Sequence, residues 1–249
     1  MENFRKPLTL VMKVAYDMLV NRNGVSALSF LRKYKVCEKT ANLLSRRISD
    51  WIHWYLMQQE FTPGSIIEID EVYPKFNTDL GEYYPWKRGK GSERTHGVLV
   101  MCQRNGLSLA IPYDKRKKGE VLRLIKKHIR KEDNHHIFTD ESTEYSKLLG
   151  EGYRHSWVNH REQNFGEGDV NTNLAENLNS FIKNTIEFTH KGVYADYLKL
   201  YMSRYAFVHA IRKKTFEQCI QVLVSSLPPL NEKVKVNFKP NSNYIRYAA

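Results

Sequence analysis

The chain has 249 residues, 41% of them hydrophobic, with 39 Lys and Arg against 27 Asp and Glu for a net charge of +12. That content supports a packed core and excludes a disordered chain, while the cationic excess points to a polyanion, most often nucleic acid. Cys37, Cys102 and Cys219 are too scattered for a disulfide framework or a zinc ribbon, and no signal peptide or bilayer-length apolar run is present. The expectation is a soluble protein of a reducing compartment, cytoplasmic or nuclear, without membrane contact.

Residues 5–60 read as helical. Leu8, Val11, Met12, Val14, Ala15, Met18 and Leu19 keep a helical apolar stripe that ends at Asn21-Arg-Asn-Gly24. A second helix over 25–36 and a third from Glu38, carrying Lys39, Arg46 and Arg47, have the outline of a helix-turn-helix. The plainer alternative is a helical hairpin packed on the main domain, to which Trp51, Trp54, Tyr55 and Leu56 would add core contacts. Phe61-Thr-Pro-Gly64 is a turn and a domain boundary.

Beyond it the period becomes extended. The run 65–73 reads as a buried strand. A basic loop with Lys87, Arg88, Lys90 and Arg94 follows, and then two β-rich runs, 95–103 and 107–113, joined by Arg104-Asn105-Gly106, a hairpin signal. Lys115, Arg116, Lys117 and Lys118 are a second basic run; both runs are candidate DNA-phosphate contacts, and solvated surface is the alternative. Next come a helix over 120–130, a strand 136–140, a short helix 144–149, a strand 153–158, a polar loop 159–172 and a helix through Glu176. From Val193 the chain turns helical again, with a helix over 216–227, Pro228-Pro229 ending it and a basic tail behind.

Three strands, a helix, a strand, a helix, a strand and a helix is the order of a ribonuclease-H-like α/β fold, a mixed five-stranded sheet with flanking helices. The expected divisions are a helical DNA-binding region (1–62), a catalytic domain (63–190) and a helical extension with a basic tail (191–249).

Acids fall where this order would place a site. Asp70 and Asp140 close two apolar strands, and Glu176 lies on a helix whose Leu174, Leu178, Phe181 and Ile182 share one side. Seven residues on, Lys183 returns to within about 20° of Glu176 on the same helix face. Two aspartates, a glutamate and a lysine are the composition of a two-metal phosphoryl-transfer site, because hard cations take oxygen ligands. Asp70 is the candidate bridging ligand, with Asp140 on one metal, Glu176 on the other and Lys183 facing a phosphate. Glu71, Glu141 and Asp79 compete, but Glu71 alternates to the other face of its strand. His135, His136, His155 and His160 match no zinc spacing. His160 and Asn173 are candidates for the rim of the site, although an ordinary surface or core histidine is the commoner case.

Four segments, Ile67-Glu-Ile-Asp-Glu-Val-Tyr73, Phe138-Thr-Asp-Glu-Ser-Thr-Glu-Tyr145, Gly152–His160 and Asn171–Lys183, together resemble the DDE transposases of the ISXO-type insertion sequences and their eukaryotic counterparts, the Merlin transposons. The resemblance implies a ribonuclease-H-like domain using Mg²⁺ (or Mn²⁺) to cut and join double-stranded DNA at transposon ends and target, with Asp70, Asp140 and Glu176 as the acids and Lys183 as the accompanying lysine. Cutting two ends together implies a homodimer on DNA. Some members carry Asn at the third position, where this chain has Asn173 and Asn177 beside Glu176. The usual His-Thr-Asn is Asn171-Thr-Asn173 here, and Asn179 replaces the aromatic that often follows the glutamate. The rival readings are a domesticated transposase-derived DNA-binding protein without catalysis and a junction or repair nuclease on the same fold.

Overall fold

The computed structural model describes residues 7–21, 24–74, 76–77, 96–158 and 170–225. Its centre is a five-stranded sheet of β1 (Ile66–Val72), β3 (His96–Gln103), β4 (Ser108–Asp114), β5 (His136–Asp140) and β6 (Arg154–Val158), in the order β4-β3-β1-β5-β6. β3 pairs antiparallel with β1 and β4, whereas β5 runs parallel to β1 and β6 parallel to β5. This is the ribonuclease-H-like arrangement, with β1 in the middle. A short β2 (Phe76–Asn77) pairs in parallel with β7 (Val193–Tyr194) outside the main sheet.

β3 is buried on both faces, as a covered strand requires, whereas β1 mixes apolar residues with Glu68 and Asp70. Ile67, Ile69 and Val72 of β1 and Val98 to Cys102 of β3 are buried. The hairpin forms at the expected place, with Cys102 facing Ser108 and Asn105 in the left-handed region at φ +59°.

Three helices precede the sheet: α1 (Leu8–Val20), α2 (Ala27–Tyr34) and α3 (Glu38–Leu56). The buried residues of α1 are Val11, Val14, Ala15, Met18 and Leu19, the one-sided spacing that makes the segment helical only against a partner. α3 buries Ala41, Leu44, Ile48, Ile52 and Leu56 and packs on α6 (Leu198–Ile211), where Tyr55 meets Phe207 edge-on and His53 Nδ1 lies 2.8 Å from Ser203 Oγ. One hydrophobic core therefore runs from α1 to α6. Gly24 completes this join: a Cβ there would collide with Thr185, beyond the end of α5, and its φ is +71°.

α4 (Glu120–His128) buries Val121, Leu124 and Ile125. It stops two residues short of the expected end, because Ile129 turns extended and its carbonyl accepts the Tyr153 hydroxyl. The short helix expected over 144–149 is instead a run of turns held by Tyr145 N–H to Ser142 O and Leu148 N–H to Tyr145 O, with both side chains buried. α5 (Asn173–Asn184) and α6 pack against the sheet, and a π-helical turn (Thr185–His190) follows α5. Arg204, 2% exposed, donates to His190 Nε2 and to the Tyr205 hydroxyl, pinning that turn to α6. α7 (Phe216–Ser225) is the last described element, so the expected helix end at 227 and the tail lie outside the described residues. Among the described residues no helix is long and apolar enough to cross a membrane.

Candidate active site

Parallel pairing of β1 with β5 puts Asp70 and Asp140 on neighbouring strands. Asp140 is the last residue of β5, and its Oδ1 accepts the Ser142 N–H at 3.1 Å. Asp70 is mostly buried. Its Oδ1 accepts the Glu71 N–H at 2.7 Å and its Oδ2 the Asn179 amide of α5 at 2.6 Å. Burial pushes the Asp70 carboxyl up to about 6; the Glu71 N–H opposes this, while repulsion from Asp140, Glu176 and Glu71 adds to it.

Glu176 sits in the first turn of α5, on its exposed side, and its Oε1 accepts the Thr172 hydroxyl at 2.9 Å. Lys183 is exposed two turns further along the same helix. Asn179 joins helix to strand directly.

Two residues passed over in the sequence fix this arrangement. Glu68, two positions before Asp70 on β1, is only 2% exposed, accepts the Leu174 N–H at the start of α5 at 2.6 Å, and pairs with Arg104 at 2.8 Å. A carboxylate there satisfies a backbone donor that the helix itself leaves unpaired. Asn179, noted in the sequence only as a substitute for an aromatic, is the Asp70 partner. The available signal was a charged residue in an apolar strand, two places from Asp70 and therefore on the same face.

Glu71 lies on the other face, as its alternation requires. Its Oε2 accepts the hydroxyls of Tyr73 at 2.5 Å and Tyr113 at 3.0 Å, and Tyr145, buried nearby, is held well above the ordinary tyrosine pKa by burial and by Glu71, Asp70 and Asp140. Gly97 makes room for this network, since a Cβ there would lie 2.6 Å from the Tyr113 ring.

The other candidates scatter. Lys39 and Arg47 are exposed on α3, whereas the Arg46 guanidinium lies 4.5 Å from the Tyr197 ring centre. Lys115 sits over the Tyr73 ring and Arg116 makes a two-pronged pair with Asp114, while Lys117 and Lys118 are exposed. Asn173 is exposed at the first position of α5. Lys87, Arg88, Lys90, Arg94, Asp79 and His160 lie outside the described residues. The remaining histidines make separate contacts: His135 with Ser65, His136 with Ser156 and His155 with Thr139.

Whether a divalent ion suits the acids is a matter of their chemistry. All three offer carboxylate oxygens, the ligand type that hard cations take. Among the described residues no three His, Cys, Asp or Glu side chains close around a single point, as Asp140 is turned to Ser142 and Glu176 to Thr172. The donor set fits a hard cation in kind.

Residues 63–209 match the ISXO2-like transposase domain, and the match takes in the whole sheet, α5 and most of α6. The chain belongs to that family. No curated protein matches it. Membership of a transposase family implies DNA as substrate.

Proposed function

We propose that the chain is a DDE-type transposase that cleaves transposon ends and joins them to target DNA in a Mg²⁺-dependent reaction, acting as a homodimer on double-stranded DNA. The observation that carries this reading is the placement of Asp70 and Asp140 on adjacent parallel strands, with Glu176 on the helix whose Asn179 hydrogen-bonds to Asp70. The family fit to ISXO2-like transposases supports it.

Asp70, Asp140 and Glu176 would hold the ions. Bound Mg²⁺ supplies charge relief at the attacking and leaving oxygens of a phosphodiester. Asn179 holds Asp70 in place, and Glu68 fixes the N-terminus of α5 and with it Glu176. Lys183 provides a point charge for a phosphate. The reaction has two parts: water cleaves the strand at the transposon end, and the freed 3′-OH then attacks a target phosphodiester.

α1 to α3 form the proposed DNA-binding region, with Lys39 and Arg47 exposed for phosphate contact. The test is strand transfer from pre-cleaved transposon ends into a plasmid. Joined products that vanish in Glu176→Ala support a transposase. Hydrolysis without joining would make the protein a nuclease on the same fold.

A further inference from the structure

A second cationic feature lies beside the acids and has no place in the proposed chemistry. The β3–β4 hairpin, the start of α5 and the junction of α6 with α7 enclose a cleft of about 650 Å³. Arg104, Arg212, Lys213 and Lys214 line it, and among the described residues Glu68 is its only carboxylate. Glu68 is already engaged by Arg104 and the Leu174 N–H. Among the described residues no carboxylate pairs with Arg212, Lys213 or Lys214.

Arg212 is held in place from behind. Its Nη1 donates to the His209 carbonyl and approaches His209 Nδ1 at 3.3 Å. Because Arg has no acceptor, Nδ1 is the accepting nitrogen and Nε2 carries the proton toward Asn177 Oδ1 at 3.2 Å. Ser108 Oγ lies 3.1 Å from the same Nδ1. A neutral histidine thus ties a cation at the cleft to Asn177 of α5, the residue after Glu176. Four cations around one neutralised acid, one of them braced by the fold, form a surface that attracts oxyanions.

The position says which oxyanion. Glu68 in the cleft wall is two residues from Asp70, about 7 Å along the strand, and Asn173 and Asn177 flank Glu176 on α5. A strand whose scissile phosphate lies at the acids would have neighbouring phosphates within reach of the cleft. Lys213 and Lys214 are exposed where they line it.

We propose that this cleft binds backbone phosphates of double-stranded DNA adjacent to the reacting phosphodiester, with Arg212, Lys213 and Lys214 as the contacts. The assignment rests on the DNA-transposase reading above. It is independent of base sequence, because side chains that meet phosphates position the duplex without reading it.

The test compares wild type, a Lys213→Gln/Lys214→Gln protein and a Lys127→Gln/Lys131→Gln control that alters exposed lysines of α4 and the following turn. Binding to a labelled duplex of arbitrary sequence is followed against salt. Loss of two phosphate contacts lowers the slope of log K against log salt by about 1.8; the control keeps the wild-type slope. A wild-type slope in Lys213→Gln/Lys214→Gln, with wild-type binding intact, overturns the cleft assignment and leaves the transposase reading standing. Failure of wild type to bind any duplex overturns both. If the variant binds duplex normally but loses affinity for a deoxynucleoside monophosphate, the cleft is a mononucleotide site and the proposal is wrong. Unchanged thermal melting of the variant ties any loss to the contacts rather than to folding.

Discussion

Glu68 on β1 accepts the backbone N–H of Leu174 at 2.6 Å, across 106 residues of chain. One buried carboxylate thereby locks the helix that carries Glu176 to the strand that carries Asp70, and Arg104 balances its charge from the hairpin. Together with the Asn179 amide on Asp70 Oδ2, the Glu68 bond ties the helix to the strand.

Removing that bond is expected to cost stability as well as activity. Glu68→Ala leaves Arg104 without this partner and the start of α5 without its acceptor, a loss of about 3 kcal/mol. Glu68→Gln keeps an acceptor for Leu174 and loses less. Urea denaturation of the three proteins orders them wild type, Glu68→Gln, Glu68→Ala. Equal midpoints would mean that the buried pair contributes nothing net.

Asp70 stands above its ordinary range, so its effect on stability has a defined sign. A carboxyl raised from 3.8 to about 6 favours the protonated fold, and its contribution is complete below pH 4 and lost as pH rises through 6. Asp70→Asn is therefore expected to stabilise the metal-free protein at pH 8 by about 1–3 kcal/mol and to change little at pH 4. The Asn179 amide can rotate to accept from the new amide, since its Oδ1 has no hydrogen-bond partner. Melting curves at the two pH values check this; equal shifts at both would show that charge is not the cause.

His190 and His209 act in the opposite sense. Burial first, and then Arg204 and Arg212 respectively, push both down to about 3. The unfolded chain takes up protons on them below about 6.5 while the fold does not, so stability falls as pH drops from 6.5 toward 3. Each histidine contributes up to about 1.4 kcal/mol per pH unit within that window. In His209→Gln the acid-side slope should be shallower by one proton. A slope identical to wild type would show that His209 titrates normally in the fold.

Gly97 is predicted to be intolerant of a methyl group. In Gly97→Ala the Tyr113 ring must move, releasing its hydroxyl from Glu71 and overpacking the β3–β4 pair, at a cost of about 1–3 kcal/mol. Gly97→Ala combined with Tyr113→Ala relieves the collision. The double variant should be less destabilised than the sum of its parts; strict additivity would refute the contact.

Much of the architecture was legible because alternation and helical spacing report burial directly. The β1 and β5 runs, the Asn105-Gly106 hairpin and the one-sided α1 and α3 stripes all lie within a few residues of where the sequence places them. The helix expected over 144–149 failed because Tyr145 and Leu148, three apart and apolar, satisfy a turn as well as a helix, and tertiary burial chose the turn. Asp140 was legible as a strand-end residue and Glu176 as a helix residue, whereas Asp70 lies two residues inside the end of β1, which continues to Val72; the support of the acids was not legible. Glu68 gives no local sign that its partner is a backbone N–H more than a hundred residues away, and Asn179 looked like a lost aromatic rather than a hydrogen-bond donor. Pairings of that range arise only when the strand and helix meet.

The most direct measurement is cleavage of a labelled duplex carrying candidate transposon ends, with and without Mg²⁺, in wild type beside Asp70→Ala. Mg²⁺-dependent cleavage by wild type and none by Asp70→Ala is the result expected if Asp70, Asp140 and Glu176 form one catalytic centre. Cleavage that survives in Asp70→Ala, or that proceeds equally without a divalent ion, would contradict it.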